Sequence, residues 1–240
     1  MSIRRALWLP LMALLVVLPC LAAARQAGHA GGGGASLRTA RLGDAAPSEA
    51  AVATITFRKI FKSSSPEFVE IKVDKRGAGT YDIRQIADSP SPQPFQVSAA
   101  LTAKIFSLAA TLHDFSGVQL NARRLIANLG EKTFRFENNG ETHQVSFNYT
   151  VNSTANQLLT IFEGLSLEDQ YLDQLRRSMR YDPLGLDDVL TRLETDLESN
   201  AIAEPQALAP VLEQIVSNQR FLDIARDRAR QILNSFGEAH

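Results

Sequence analysis

The chain has 240 residues, of which 45% are hydrophobic and 21% are charged, a balance typical of a globular protein and unlike that of a disordered or multi-span membrane protein. Its formal net charge is −1, from 25 basic and 26 acidic residues, so it lacks the basic excess on which binding to nucleic acid depends. We therefore exclude nucleic acid as a partner.

The first 24 residues have the pattern of a secretory signal peptide. Arg4 and Arg5 give a positive start, a long apolar run follows, and Ala22 and Ala24 supply the small side chains that a signal peptidase needs. We predict cleavage after Ala24, which makes the mature protein secreted or periplasmic, without stable insertion in a membrane.

The alternative for this segment is an uncleaved membrane anchor, because its apolar run approaches the roughly 20 residues that span a bilayer. Pro19 breaks the run, and no basic cluster follows it. Cys20 is the only cysteine, so cleavage would leave a cysteine-free chain without disulfides or thiolate ligands. Pro19 also disfavours lipidation of Cys20, because a small residue precedes a lipidated cysteine.

Residues 25–51 are rich in alanine, glycine and small polar residues. Such a composition buries too little apolar area to offset the entropy of the chain, so we expect a flexible linker.

Alternating apolar residues then predict a first strand at 55–61 and a second at 68–74. A glycine-containing turn leads to a third strand, and a turn centred on Gly77 would place Val73 opposite Tyr81. The Ser/Pro-rich segment 89–94 is predicted to be a loop.

Ser98 is a predicted N-cap for a helix that ends near His113. A second hairpin follows, because Asn139-Gly140 is a strong turn signal between two alternating segments. A two-residue turn there would place Phe134 opposite Val145 and Phe136 opposite His143.

Ser153 or Thr154 is predicted to cap a helix that runs to about Arg180, with Gly164 as its weak point. The rest of the chain has the pattern of short amphipathic helices. We therefore predict an α+β fold, in which a repeated hairpin-helix unit forms an antiparallel sheet of about five strands. The sheet module is expected at 52–152, and a helical C-terminal region, packed on the sheet or following it, at 153–240.

The sequence indicates no catalytic, cofactor-binding or metal-binding residue. His113, His143 and His240 are isolated, and a lone histidine forms no catalytic set. The adjacent acids Glu168-Asp169 and Asp187-Asp188 are interpreted as charges near helix N-termini, because neighbours point to different sides of a helix.

Two clusters of arginine are interpreted as solvated helix faces. Arg176, Arg177 and Arg180 form the first. Arg226, Arg228 and Arg230 form the second, where interleaved aspartates are expected to pair with them.

Export, a linker and the absence of a convergent polar set favour a non-enzymatic binding module that contacts another envelope or extracellular protein. Two alternatives remain open. One is a secreted hydrolase that uses His113 or His143, and the other is an envelope protein anchored by its uncleaved first segment. No cofactor is expected.

Overall fold

The structure of the protein is a computed structural model that describes residues 52–123 and 125–238. The expected signal peptide at 1–24, the linker at 25–51 and His240 lie outside the described residues, so the expectations for them stay predictions.

The described residues form a mixed α+β fold with a helical C-terminal part, as the sequence predicted. The strands are β1 Thr54–Ile60, β2 Phe68–Asp74, β3 Ala78–Arg84, β4 Gln93–Gln96, β5 Glu131–Asn138 and β6 Glu141–Phe147. The α-helices are α1 Ala99–Thr111, α2 Ser153–Tyr181, α3 Leu186–Glu198, α4 Ala209–Ser217 and α5 Asp223–Glu238, and two short 3-10 turns lie at His113–Phe115 and Pro205–Leu208.

The strands form one antiparallel sheet in the order β4-β3-β2-β1-β5-β6. The sixth strand, β4, lies at the end of the predicted Ser/Pro loop and pairs with Ala78–Tyr81 of β3. Pro94 cannot donate a backbone hydrogen bond, so a strand that contains it is tolerated at the edge of a sheet. The four residues of β4 contain one proline and a single apolar side chain, Phe95, so they show no alternating pattern that would predict a strand.

The register predicted for the second hairpin is confirmed. Phe134 pairs with Val145 and Phe136 with His143. Asn139 and Gly140 have φ angles of 47° and 85°, and a turn with two positive φ angles matches the twist of the flanking strands.

The register predicted for the first hairpin is wrong. Val73 pairs with Gly79, and Tyr81 pairs with Ile71 instead. The loop is centred on Arg76, because an Asp74 carboxylate oxygen accepts hydrogen bonds from the backbone N–H groups of Arg76 and Ala78, at 2.8 and 3.0 Å. Gly77 occupies the last loop position with a φ of 83°, a conformation that suits glycine.

The apolar residues divide into two cores. The first lies between one face of the sheet and the helices α1 and α2, and Phe134 is central to it, with ring centroids 5.4–6.1 Å from four other phenylalanines. The second is built from the C-terminal half of α2 together with α3, α4 and α5. The long helix α2 therefore contributes to both, and the expected division into 52–152 and 153–240 stays a prediction.

Helix α2 runs to Tyr181, close to the predicted end near Arg180, but its N-cap differs from the prediction. Asn152, one residue before the predicted caps, accepts a hydrogen bond of 2.9 Å from the backbone N–H of Ala155. Ser98 caps α1 as predicted. Helix α2 passes through Gly164 without a break. A Cβ atom at Gly164 would lie 2.9 Å from the carbonyl oxygen of Ala201. Glycine therefore allows the segment before α4 to pack closely on α2.

Candidate functional site

A cleft of about 550 Å³ lies between strand β3 and helix α2. The pairing of β3 with β4 ends at Tyr81, and no described strand lies beside the outer edge of β3 beyond that residue. Side chains from both faces of β3 reach the cleft there. We call it the β3–α2 cleft. Its charged lining residues are Asp82, Arg84, Asp169, Asp173, Arg176 and Arg177.

Asp169 lies at the centre of α2 and is only 7% exposed. Its burial raises the pKa of the carboxyl group to about 6, and the interaction with the Tyr81 hydroxyl and the charge of Arg176 oppose this rise. Burial and the carboxylate of Asp169 in turn raise the pKa of Tyr81. The Oδ1 atom of Asp169 is buried without a hydrogen-bond partner among the described residues.

Glu168, the neighbour of Asp169, is 6% exposed and points toward the segment before α4. Its Oε2 accepts a hydrogen bond of 3.0 Å from the backbone N–H of Glu204. Burial raises the pKa of Glu168 to about 8, and the nearby charges of Glu204 and Asp169 act in the same direction. Burial therefore keeps the carboxyl group of Glu168 protonated to a higher pH than that of Asp169.

The arginines of the cleft differ in how far they are already engaged. Arg84 donates a hydrogen bond of 2.9 Å to Asp82, contacts three backbone carbonyls and lies 4.2 Å from the centroid of the Phe68 ring. Arg176 and Arg177 are exposed and make no salt bridge to another described residue. The last two guanidinium groups are therefore the ones available to an anionic group in the cleft.

The interpretation of Glu168-Asp169 as helix N-terminal charges is wrong, because both residues lie in the middle of α2, which begins at Ser153. The stripe of α2 that packs inward includes Leu165 and Leu172, and the two acids fall three or four residues from each of them. They therefore occupy the gap in that apolar stripe. This spacing is the sequence signal that could have identified them as buried.

Asp187 and Asp188 do lie in the first turn of α3, as predicted. In the second arginine cluster, Arg226 pairs with Asp223 and Arg230 with Asp227, as expected for a self-paired face. Arg228 instead bridges two helices, through contacts of 2.8 Å to Asp187 and to Glu194 of α3.

His113 and His143, the two histidines among the described residues, lie away from the cleft. His113 is exposed in the 3-10 turn after α1, with a positive φ of 54°. His143 is half-buried on β6, and its Nδ1 is buried without a partner among the described residues. Neither imidazole lines the β3–α2 cleft, so the structure does not bring either one together with Asp169.

Within residues 52–123 and 125–238, no group of three or more histidine, cysteine or acidic side chains has the arrangement of a metal site. Among the same residues, no helix has the length and apolarity that crossing a bilayer would require.

These features define an α+β protein in which an antiparallel sheet and a helical region share one long helix, with a polar cleft beside that helix. Comparison of the sequence with models of protein families finds no match, and comparison with curated proteins finds no relative.

Proposed function

We propose that this chain is an exported, non-enzymatic binding protein that contacts another envelope or extracellular protein, and that it does so by adding an extended segment of that partner to the free edge of β6. Export rests on the signal-peptide pattern that ends at Ala24. The observation that carries the binding mode is the difference between the two edges of the sheet.

The edge formed by β4 is short and contains Pro94, two features by which proteins prevent unwanted strand pairing. The edge formed by β6 has neither. It pairs with β5 over seven consecutive residue pairs, contains no proline or lysine, and has no described strand on its outer side. Strand β6 is therefore the edge that offers a regular template to another chain.

The tight turn determines which backbone groups of β6 are free. In a two-residue hairpin the flanking pair, Asn138 and Glu141, is hydrogen-bonded, and hydrogen-bonded pairs then alternate along the ladder. The backbone N–H and C=O groups of Thr142, Gln144 and Ser146 consequently point away from β5. All three residues are exposed.

The chemistry at the end of β6 favours a different protein over a second copy of this chain. Tyr149 and Val151 follow the strand and are 40% and 62% exposed. A symmetric pair of β6 strands centred on Gln144 would place the carboxylate of Glu141 opposite Phe147, beside these apolar residues. A partner segment with apolar residues at that end avoids the mismatch.

The experiment is site-specific photo-crosslinking in cells that make the protein, with the photoreactive residue at Ser146. We expect an adduct with a second protein, and Gln144→Pro should reduce its yield at least about tenfold, because proline removes an outward N–H without disturbing the bonds to β5. Gln144→Thr is the matched control and should retain the adduct. The mass of the purified protein should correspond to a chain that begins at Arg25.

Three results would overturn the proposal. An adduct with the mass of two copies would identify the edge as a self-interface. An adduct that Gln144→Pro leaves unchanged would show that the contact does not use the backbone of β6. The absence of any adduct would show that no partner protein binds at this edge. An intact N-terminus would favour the anchored alternative.

A further inference from the structure

Two cavities meet at Asp169. The β3–α2 cleft lies on one side of it, and a pocket of about 170 Å³ extends from it toward the core of the sheet. Tyr81, Asp169 and Arg176 line both cavities. The inner pocket is also lined by the buried acid Glu168 and by the apolar side chains of Ile71, Pro94, Phe95, Leu165 and Leu172.

Asp169 places a buried carboxylate where the two cavities meet. The residue is 7% exposed, and its Oδ1 is enclosed by the protein, beside the Tyr81 hydroxyl, without a hydrogen-bond partner among the described residues. Because Asp169 lines both cavities, a ligand would reach its carboxylate from the cleft rather than at the enclosed Oδ1. A cationic N–H group would pair with this negative charge, and the nearby carboxylate of Asp173, which also lines the cleft, acts in the same direction.

The opposite charge is available on the same helix. Arg176 lies close enough to Asp169 to lower the pKa of that carboxyl, yet Arg176 and its neighbour Arg177 form no salt bridge with another described residue. Guanidinium groups bind carboxylates through paired hydrogen bonds. One side of the cleft can therefore take a cation while the other takes an anion.

We infer that the β3–α2 cleft binds a zwitterionic ligand of the amino-acid or short-peptide class, with its ammonium group at the carboxylate of Asp169, its own carboxylate at Arg176 and Arg177, and an apolar side chain in the inner pocket. This site is separate from the edge of β6. It uses the three chemical features that meet at Asp169: a buried carboxylate, two guanidinium groups that form no salt bridge with another described residue, and a recess to which five apolar side chains contribute.

Isothermal titration calorimetry of the mature protein tests this with four probes that differ in one group each. L-Leucine has all three groups, leucinamide lacks the carboxylate, 4-methylpentanoate lacks the ammonium and glycine lacks the side chain. We expect L-leucine to bind, and each of the other three to bind at least about tenfold more weakly. L-Phenylalanine and the dipeptide Leu-Gly extend the range of side-chain size and ligand length.

Variants identify the groups. Asp169→Asn and Arg176→Gln should each weaken L-leucine binding at least about tenfold. Asp188→Asn, which changes an exposed acid in the first turn of α3, is the matched control and should leave it unchanged. Arg176 is exposed, so its variant should fold normally even where substitution at the buried Asp169 lowers stability.

Absence of heat from L-leucine, L-phenylalanine and Leu-Gly up to about 10 mM would overturn the inference. Equal binding of L-leucine and leucinamide would also overturn it, because the arginines would then have no role. Gln144→Pro should not affect L-leucine binding, so failure here and failure of the proposed partner interaction are distinguishable.

Discussion

The side chain of Glu168 and the backbone of Glu204 join the long helix α2 to the segment before α4, through a hydrogen bond of 3.0 Å from the Glu204 N–H to Glu168 Oε2. The carboxylate of Glu204 in turn accepts a bifurcated hydrogen bond from the backbone N–H of Ser98, the residue that caps α1, with the nitrogen 3.0 and 3.1 Å from its two oxygens. Two acids in series, Glu168 and Glu204, therefore connect helix α2, the segment before α4 and the start of α1.

Burial of Glu168 predicts that the protein is more stable in mild acid than at pH 8. Burial raises the pKa of its carboxyl from 4.5 to about 8, so the folded state binds a proton more tightly than the unfolded state does. The free energy of unfolding should therefore fall as the pH rises from about 4.5 to about 8. Asp169, with a pKa raised to about 6, contributes in the same direction over a narrower range.

The substitution Glu168→Gln should remove most of this dependence. At pH 8 we expect it to raise the free energy of unfolding by on the order of a few kcal/mol, because a neutral amide has no charge to desolvate while its oxygen still accepts from Glu204. At pH 5 the effect should be small. Urea unfolding at both pH values measures it, with Glu213→Gln on the exposed side of α4 as the control. Equal effects at both pH values would contradict the raised pKa.

Gly164 should not tolerate a side chain. A Cβ atom there would lie 2.9 Å from the Ala201 carbonyl oxygen and 3.0 Å from the Ala203 backbone nitrogen. We expect Gly164→Ala to lower the free energy of unfolding by about 1–3 kcal/mol, since the added methyl group must push the two segments apart. Gly237→Ala is the matched control, because nothing lies within 4 Å of its Cβ position, and it should stabilise α5 by up to about 1 kcal/mol. A stabilising Gly164→Ala would mean that the close approach does not exist.

Phe134 is expected to be the most sensitive residue of the sheet core. Its ring is fully buried and lies 5.4 Å from both Phe115 and Phe147. Phe134→Ala should lower the free energy of unfolding by about 3–5 kcal/mol, through lost burial and the cavity that remains. Val151→Ala, at an exposed position, should change it by no more than about 0.5 kcal/mol. Guanidinium unfolding of both variants provides the comparison.

Lys132 should hold the loop before β5 in place. The residue is 6% exposed, and its Nζ donates hydrogen bonds to the carbonyl oxygens of Leu129, Gly130 and Asn148 at 3.0–3.3 Å. Burial and the charge of Lys59 lower the pKa of its ammonium group.

In Lys132→Met the three carbonyls lose their shared donor, and we expect a loss of about 1–3 kcal/mol in the free energy of unfolding. Amide hydrogen exchange at Leu129 and Gly130 should become faster. Lys72→Met, which removes an exposed lysine from the polar face of the sheet, should leave this exchange unchanged. Unchanged exchange in Lys132→Met would show that the loop is held by other contacts.

Sequence patterns predicted most helices and strands correctly, because the residues that determine these elements are close neighbours in the chain. Asn139-Gly140 determined the second hairpin and its register, since only a turn with two positive φ angles fits there. The first hairpin was mispredicted because its register depends on how the Asp74 carboxylate bonds to the loop, and glycine position alone does not encode that. Strand β4 was missed because its four residues are ordered by β3.

The candidate site could not be predicted from the sequence for a similar reason. The spacing of Glu168 and Asp169 from Leu165 and Leu172 indicates that they interrupt an apolar stripe, but the stripe does not reveal what lies opposite. The tertiary structure places Tyr81 of β3 beside Asp169, and the two residues are 88 positions apart in the chain.

By itself, the sequence determined the α+β class, the order of hairpins and helices and the turn of the second hairpin, because periodicity and turn chemistry act over a few neighbouring residues. Only the tertiary structure decided that two adjacent acids are buried, that Gly164 is a contact point and that β6 lies at one edge of the described sheet. Each of these depends on segments distant in sequence, whose approach changes solvation and packing in ways that no local pattern records.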